Sequence, residues 1–168
     1  MRYFSTHDHR HTASFAQAVL SGLAPDRGLY FPEELRPLPR HFWTDLGQKS
    51  DAEIAVSVLQ QFVEGVIDPH QLHDIIEDAL DFPFPVTQIQ PGVHVLELFH
   101  GPTLAFKDVG ARCMGRILPY CIDQERETLV LVATSGDTGA AVAHGFLGVD
   151  GVRVMVLYPA GKVSALQE

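Results

Sequence analysis

Lys107 stands in surroundings that a solvent-facing lysine rarely has. It follows Ala105 and Phe106 within the run LFHGPTLAFKDVG, residues 98–110. Apolar neighbours are expected to desolvate the amine in part, which lowers the pKa of a lysine and makes its neutral, nucleophilic form more available. The ordinary alternative is a solvated charge at the start of a helix, where a lysine is mildly unfavourable against the helix dipole. Amine chemistry is therefore permitted at this position but not required.

A second stretch, residues 134–139, has the composition of an anion-binding loop. It reads TSGDTG between an apolar run and the alanine-rich residues 140–143. Glycine lets the backbone turn tightly, and the hydroxyls of Thr134, Ser135 and Thr138 can donate to a carboxylate or a phosphate beside the N–H groups of a helix start. The spacing matches neither the Walker loop nor the three-glycine dinucleotide loop. A plain strand-to-helix turn with an Asp or Thr cap is the alternative.

Both stretches lie in a region where strands and helices are predicted to alternate. Apolar runs and helical spacing predict strands at residues 93–99, 128–133 and 152–157, and helices at residues 108–122 and 139–146. The runs at residues 93–99 and 128–133 are apolar enough to predict buried strands. This order predicts a mostly parallel sheet with right-handed crossovers, the start of a doubly wound α/β domain. Lys107 and the loop would then face one crevice at successive strand-to-helix junctions.

The first part of the chain predicts a small, mostly helical domain without chemistry of its own. The expected elements are a short edge strand at residues 2–5, a helix capped by Ser14 and closed by Gly22, a strand at residues 28–32, irregular chain at residues 33–41, and two helices, one capped by Asp51 and one that begins at Asp68–Pro69. The FPFP run at residues 82–85 breaks the pattern. We therefore predict two domains, residues 1–82 and an incomplete α/β domain at residues 83–168.

Composition excludes several classes of function. The 168 residues are 46% hydrophobic and 20% charged, as in soluble globular proteins, and no segment is apolar enough to span a membrane. The chain opens without a basic, apolar leader, so a cytoplasmic location is expected. A net charge of −9 argues against a nucleic-acid surface but permits a small anionic ligand. We interpret the two cysteines, Cys113 and Cys121, as core thiols, and the alternating histidines at residues 7–11 as a polar loop rather than a metal site.

Together the two motifs resemble a known family. The runs ELFHGPTLAFKD at residues 97–108 and ATSGDTGAA at residues 133–141 are similar to those of the threonine synthases, pyridoxal-phosphate enzymes of the tryptophan-synthase-β fold group. Three further runs also resemble the bacterial members, at residues 14–19, 28–32 and 157–164. The resemblance thus covers nearly the whole chain.

The resemblance implies a division of labour. Lys107 would form the internal aldimine with pyridoxal phosphate and later move protons, and Phe106 would pack against the pyridine ring. The loop would hold the carboxylate and phosphate of the substrate; its members are Thr134, Ser135, Gly136, Thr138 and Gly139. The implied reaction converts O-phospho-L-homoserine and water to L-threonine and phosphate, the last step of threonine biosynthesis, and it leaves the oligomeric state open.

One loop residue departs from many relatives. Asp137 occupies the position, often asparagine, that lies beside the phenolic oxygen of the cofactor. Two negative charges there would repel, so we expect either a protonated group or coupling to the proton on the lysine-bound cofactor.

The resemblance also limits what this polypeptide can do. Family members are much longer than 168 residues, so the loop for the cofactor's own phosphate and the partner of its pyridine nitrogen are expected outside this sequence. We therefore expect this chain alone to hold the cofactor weakly, to be inactive, and to expose apolar surface that favours self-association. The alternatives are a phospho-lyase or serine/threonine dehydratase of the same fold group, a non-catalytic module that retains the fold, and, last, a nucleotide-binding module.

Overall fold

The computed structural model describes residues 1–123 and 127–164, and its contacts divide the chain into two compact units. The first comprises Met1–Glu77 with Tyr120–Ile122, and the second comprises Asp78–Pro119 with Asp123–Glu168. The boundary predicted between residues 82 and 83 stays a prediction, although the second unit begins only a few residues earlier.

A three-stranded antiparallel sheet opens the first unit. Its strands are β1 (Arg2–Ser5), β2 (Thr12–Ser14) and β3 (Tyr30–Pro32), in the order β2-β1-β3. The expectation of an edge strand at residues 2–5 was wrong, since β1 lies in the centre and pairs on both sides. The histidine-rich loop between β1 and β2 is closed by the ion pair of Asp8 with Arg10 (2.6 Å).

Four helices follow: α1 (Phe15–Ser21), α2 (Arg40–Thr44), α3 (Asp51–Val63) and α4 (Pro69–Ala79), with a short 3-10 turn at Leu46–Gln48. The last two residues of α4, Asp78 and Ala79, belong to the second unit. Ser14 caps α1 as predicted, and Gly22 follows its end. The prediction that Asp51 caps α3 was wrong. Ser50 is the cap, because its Oγ accepts the Glu53 N–H (3.2 Å) while Glu53 accepts the Ser50 N–H (2.7 Å), a reciprocal capping box.

The second unit begins with a β-hairpin that the sequence interpretation missed. Strand β4 (Val86–Gln90) pairs antiparallel with β5 (Val93–Leu96). Residues 93–99 were predicted as one buried strand, but the strand ends at Leu96 and all four of its residues are exposed. Pro91–Gly92 is the overlooked signal, because Gly92 has φ +77° and supplies the reversal of the hairpin.

Two helices and two parallel strands form the rest of this unit: α5 (Lys107–Ile117), β6 (Thr128–Ala133), α6 (Asp137–Gly145) and β7 (Val152–Leu157). A 3-10 turn at Leu118–Tyr120 follows α5, and its last residue, Tyr120, belongs to the first unit. Both strands have the predicted limits and pair in parallel, Thr128 opposite Val152 and Ala133 opposite Leu157. The predicted fold class, a helical first part followed by α/β chain with parallel strands, is therefore confirmed.

Strand β6 is not fully buried, contrary to the prediction. Burial alternates along both parallel strands, and the side chains of Leu129 and Leu131 are 52% and 59% exposed. The opposite face contacts α6, where Gly139 approaches Val156. A continuous apolar sequence is typical of a strand that is buried on both faces. In the described part of the chain, only one face of the β6-β7 pair is covered.

Helix α5 is anchored by two arginines. The buried Arg112 donates to the main-chain oxygens of Ala79 (2.6 Å) and Asp78 (2.7 Å) and to the Asp81 carboxylate (2.8 Å). Arg116 donates to Asp78 Oδ2 (2.6 Å) and to the Gly145 carbonyl (2.7 Å). These bonds satisfy carbonyl groups at the ends of α4 and α6, which have no partner within their own helices.

Candidate active site

Lys107 is the first residue of α5. Its side chain is half-buried, and Nζ lies 4.3 Å from the centroid of the Phe106 ring. An ammonium at this distance from an aromatic face is attracted by the ring quadrupole. Phe106 itself is 61% exposed, so its ring forms a surface beside the amine.

The turn that leads into Lys107 has an unusual backbone. The Leu104 N–H donates to the Gly101 carbonyl (3.1 Å), and Leu104 has φ +59°. A left-handed conformation costs an L-residue without special side-chain help about 1–2 kcal/mol. The surrounding contacts must offset that cost, and backbone strain of this kind is concentrated at functional sites.

The loop after β6 is stabilised from within. Thr134 Oγ1 accepts hydrogen bonds from the N–H groups of Gly136 (3.0 Å) and Gly139 (3.2 Å). Gly136 has φ +147°, which favours glycine, and a Cβ on Gly139 would lie only 2.4 Å from Thr134 Cγ2. The sequence thus needs glycine at both positions and a hydroxyl at residue 134 to bring the chain from strand to helix.

Helices α5 and α6 cross in close contact, and glycine permits it. A Cβ on Gly115 would lie 2.2 Å from the Gly145 carbonyl oxygen, and one on Gly145 would lie 2.8 Å from the main chain of Ala111. Backbone packed against backbone leaves no room for adjustment. The crossing therefore fixes the distance between the two helices that bear the predicted site residues.

An open pocket of about 460 Å³ lies between the first turns of α5 and α6. Three predicted residues line it: Phe106, Lys107 and Thr138. The other predicted residues do not line the pocket, although all belong to the loop that begins α6; they are Thr134, Ser135, Gly136, Asp137 and Gly139. Both sequence motifs thus contribute side chains to one pocket.

Five lining residues were not predicted: Leu98, Val109, Gly110, Ala111 and Val142. Helical spacing could have found most of them, because residues three and four positions after Lys107, and four after Thr138, share a face with those side chains. Lys107 is the one ionisable residue among the eight that line the pocket. An amine in a pocket with mostly apolar walls and one hydroxyl residue, Thr138, suits attack on a carbonyl carbon.

A small polar cluster precedes the Lys107 turn. His100 Nε2 lies 2.7 Å from Glu97 Oε2, and Thr87 donates to Glu97 Oε1 (3.0 Å). The hydrogen bond with His100, and then the one from Thr87, lower the pKa of the Glu97 carboxyl. The cluster ties the hairpin to the start of the turn.

The described ranges contain neither a cluster of metal-ligating side chains nor a membrane-spanning helix. Within residues 1–123 and 127–164, no three or more His, Cys, Asp and Glu side chains are grouped to hold a metal ion. In the same ranges no helix has the length and apolar character needed to cross a bilayer. Both cysteines are free thiols, Cys121 buried and Cys113 half-buried.

The fold and the pocket define the class: an α/β protein with parallel strands and an amine site between the first turns of two helices. Comparison with known proteins makes the assignment specific. A family model described as "Threonine synthase N terminus" matches residues 2–80. The threonine synthase of Escherichia coli K12 is 42% identical over 171 residues, which cover 100% of this chain and 39% of the relative.

Solved structures agree. The crystal structure of threonine synthase from Escherichia coli matches with a TM-score of 0.90 at 41% identity, over 100% of this chain and 39% of that one. The structure of PLP-bound threonine synthase from Brucella melitensis matches with a TM-score of 0.91 at 38% identity, over 99% and 37%. Over its whole length the chain is similar to these threonine synthases, and it spans about two fifths of their length.

Proposed function

We propose that this chain is the part of a threonine synthase that carries the cofactor lysine, and that the enzyme converts O-phospho-L-homoserine and water to L-threonine and phosphate. The observation that carries the proposal is the pocket that Lys107 shares with Thr138. The curated relatives named threonine synthase support the reaction. The cytoplasmic location and the absence of a nucleic-acid partner stay predictions.

Pyridoxal phosphate fits the residues present. A pocket of about 460 Å³ is within the range of small-ligand sites, and its walls are mostly apolar, as a flat aromatic ring requires. Val109 and Val142 provide such walls, and Phe106 offers an exposed ring face. The Brucella melitensis relative is described as PLP-bound, which supports the same cofactor here.

The cofactor, when bound, supplies an electron sink for carbanions formed on the amino acid. Lys107 would bind it covalently through Nζ and then take and return protons, because one amine on a fixed helix end can reach successive carbon atoms. Phe106 would cover the ring. Asp137, the first residue of α6, would lie beside the phenolic oxygen.

The loop residues divide into those that shape it and those that bind. Because the N–H groups of Gly136 and Gly139 donate to Thr134 Oγ1, these three residues maintain the curve of the loop. The Thr134 hydroxyl can still donate its own proton. We therefore assign the substrate's carboxylate and phosphate to the hydroxyls of Ser135 and Thr138, with Thr134 assisting, at the positive end of the α6 dipole.

The test is an assay of the protein that carries this chain, with whatever further residues accompany it. O-Phosphohomoserine should yield threonine and phosphate in equal amounts, and Lys107→Ala should abolish both. Lys162→Ala is the control, since Lys162 lies outside the residues that line the pocket. Release of 2-ketobutyrate would identify a lyase or dehydratase of the same fold group, and no cofactor absorption at all would identify a non-catalytic module.

A further inference from the structure

Asp108, directly after Lys107, is completely buried. Its two carboxylate oxygens point back into the preceding turn: Oδ2 accepts the Thr103 N–H (2.9 Å) and Oδ1 accepts the Thr103 hydroxyl (2.7 Å). A buried carboxylate is costly unless it is hydrogen-bonded, so this one is held in place by its partners.

The contact extends to both ends of the turn. A Cβ on Gly101 would lie 2.6 Å from Asp108 Oδ2, so glycine is needed for the carboxylate to fit. Leu104, with φ +59°, follows Thr103, and the Asp108 N–H donates to the Ala105 carbonyl (3.0 Å). Asp108 therefore contacts the strained turn at its start, middle and end.

Helix α5 has no side-chain hydrogen bond at its N-cap, Phe106. The bonds of Asp108 to Thr103 replace a cap by tying the second residue of the helix to the turn before it. Lys107 lies between the two tied points. The direction in which its side chain leaves the helix thus depends on a turn that Asp108 holds.

We propose that Asp108 is a positioning residue for Lys107: through Thr103 and Gly101 it fixes the turn that aims the amine into the pocket between α5 and α6. The proposal rests on the proposed function only in assuming that the enzyme uses the Lys107 amine in catalysis. The aim of the amine can be measured without cofactor or substrate.

The chain has three lysines, Lys49, Lys107 and Lys162, so trace acetylation followed by peptide mass mapping reports each amine separately. The rate of Lys107 labelling should be measured between pH 7 and pH 11, against the other two lysines as internal references. Thr103→Val removes the hydroxyl donor to Asp108 and retains the branched shape. Thr103→Ser retains the hydroxyl, and Asp108→Asn removes the charge and one acceptor.

In Thr103→Val and Asp108→Asn, Lys107 should be labelled at least about threefold faster, with a shifted pH midpoint, because the amine is less constrained and Asp108→Asn also removes a neighbouring negative charge. Thr103→Ser should match the parent chain. Equal Lys107 profiles in Thr103→Val and Thr103→Ser would overturn the proposal, as would a parallel rise at all three lysines, which signals general loosening. If Asp108→Asn fails to fold, the two Thr103 variants decide.

The same data separate this inference from the proposed function. A change at Lys107 in Thr103→Val, in a protein that makes no threonine, would support the positioning role and contradict only the assigned reaction. An active enzyme whose Lys107 profile is insensitive to Thr103→Val would contradict only the positioning role.

Discussion

The crossing of α5 and α6 can be tested with two glycines of one helix. Gly110 and Gly115 both lie in α5, but a Cβ on Gly110 meets open space, whereas one on Gly115 would lie 2.2 Å from the Gly145 carbonyl oxygen. Gly110→Ala is therefore a matched control for Gly115→Ala.

The magnitudes follow from the two environments. Alanine is favoured over glycine in a helix interior by about 1 kcal/mol, so Gly110→Ala should stabilise the protein by up to that amount. At Gly115 the same gain is opposed by overpacking, which costs roughly 1–3 kcal/mol. The upper end applies because the neighbour is backbone and cannot rotate away. Gly115→Ala should thus lose about 2 kcal/mol, and the two variants should differ by about 3 kcal/mol.

Urea denaturation followed by circular dichroism measures this difference, and thermal melting should show the variants separated by roughly 6–12 °C, at 2–4 °C per kcal/mol for a chain of this size. The comparison concerns stability alone, because Gly110 itself lines the pocket. A Gly115→Ala protein as stable as Gly110→Ala would refute the close crossing and, with it, the argument that the helices fix the pocket.

Three further predictions concern the second unit. Arg112→Met should cost about 2–4 kcal/mol of unfolding free energy, because it leaves two main-chain carbonyls of α4 without their donor. Arg153→Met, at an exposed ion pair, should cost at most about 1 kcal/mol, and urea titrations compare the two variants. Burial raises the pKa of the Cys113 thiol to about 11, so at pH 8 its reaction with iodoacetamide should be about 100-fold slower than that of a thiol with an ordinary pKa. The free energy of unfolding should fall as the pH rises from about 9 towards 11, because the unfolded chain releases the thiol proton first. Labelling of Cys113 as fast as that of glutathione would contradict this prediction. Asp137→Asn should lower the pH midpoint of the absorption change of the cofactor-loaded protein, because it removes a negative charge near the proton on the lysine-bound cofactor. An unchanged midpoint would contradict the expected coupling between Asp137 and that proton.

Local signals were sufficient for much of the fold. The limits of β6 and β7 followed from apolar runs between turn residues, and the starts of α1 and α4 followed from Ser14 and from Asp68–Pro69. Each of these elements is decided by residues within a few positions of one another. Strand β5 was placed in the wrong environment because an apolar run of its length does not reveal its partner, and β4 supplies an antiparallel one.

The site shows the same division. Residue type and spacing singled out Lys107 and the loop at residues 134–139, but the parallel-sheet argument that placed them together does not apply in the described residues, because β5 pairs antiparallel with β4 rather than with β6 or β7. The tertiary distances were not recognisable. The contact of Gly115 with Gly145 joins residues 30 positions apart. The turn in which Asp108 binds Thr103 includes a positive φ at Leu104, which a leucine does not predict.

The identity of the cofactor lysine is the central claim, and one measurement tests it most directly. The chain is saturated with pyridoxal phosphate, reduced with borohydride and mapped by peptide mass, so that Lys49, Lys107 and Lys162 compete in one sample. We predict the modification at Lys107 in clear excess over the other two lysines; equal modification of all three, or preference for Lys49 or Lys162, would contradict the account.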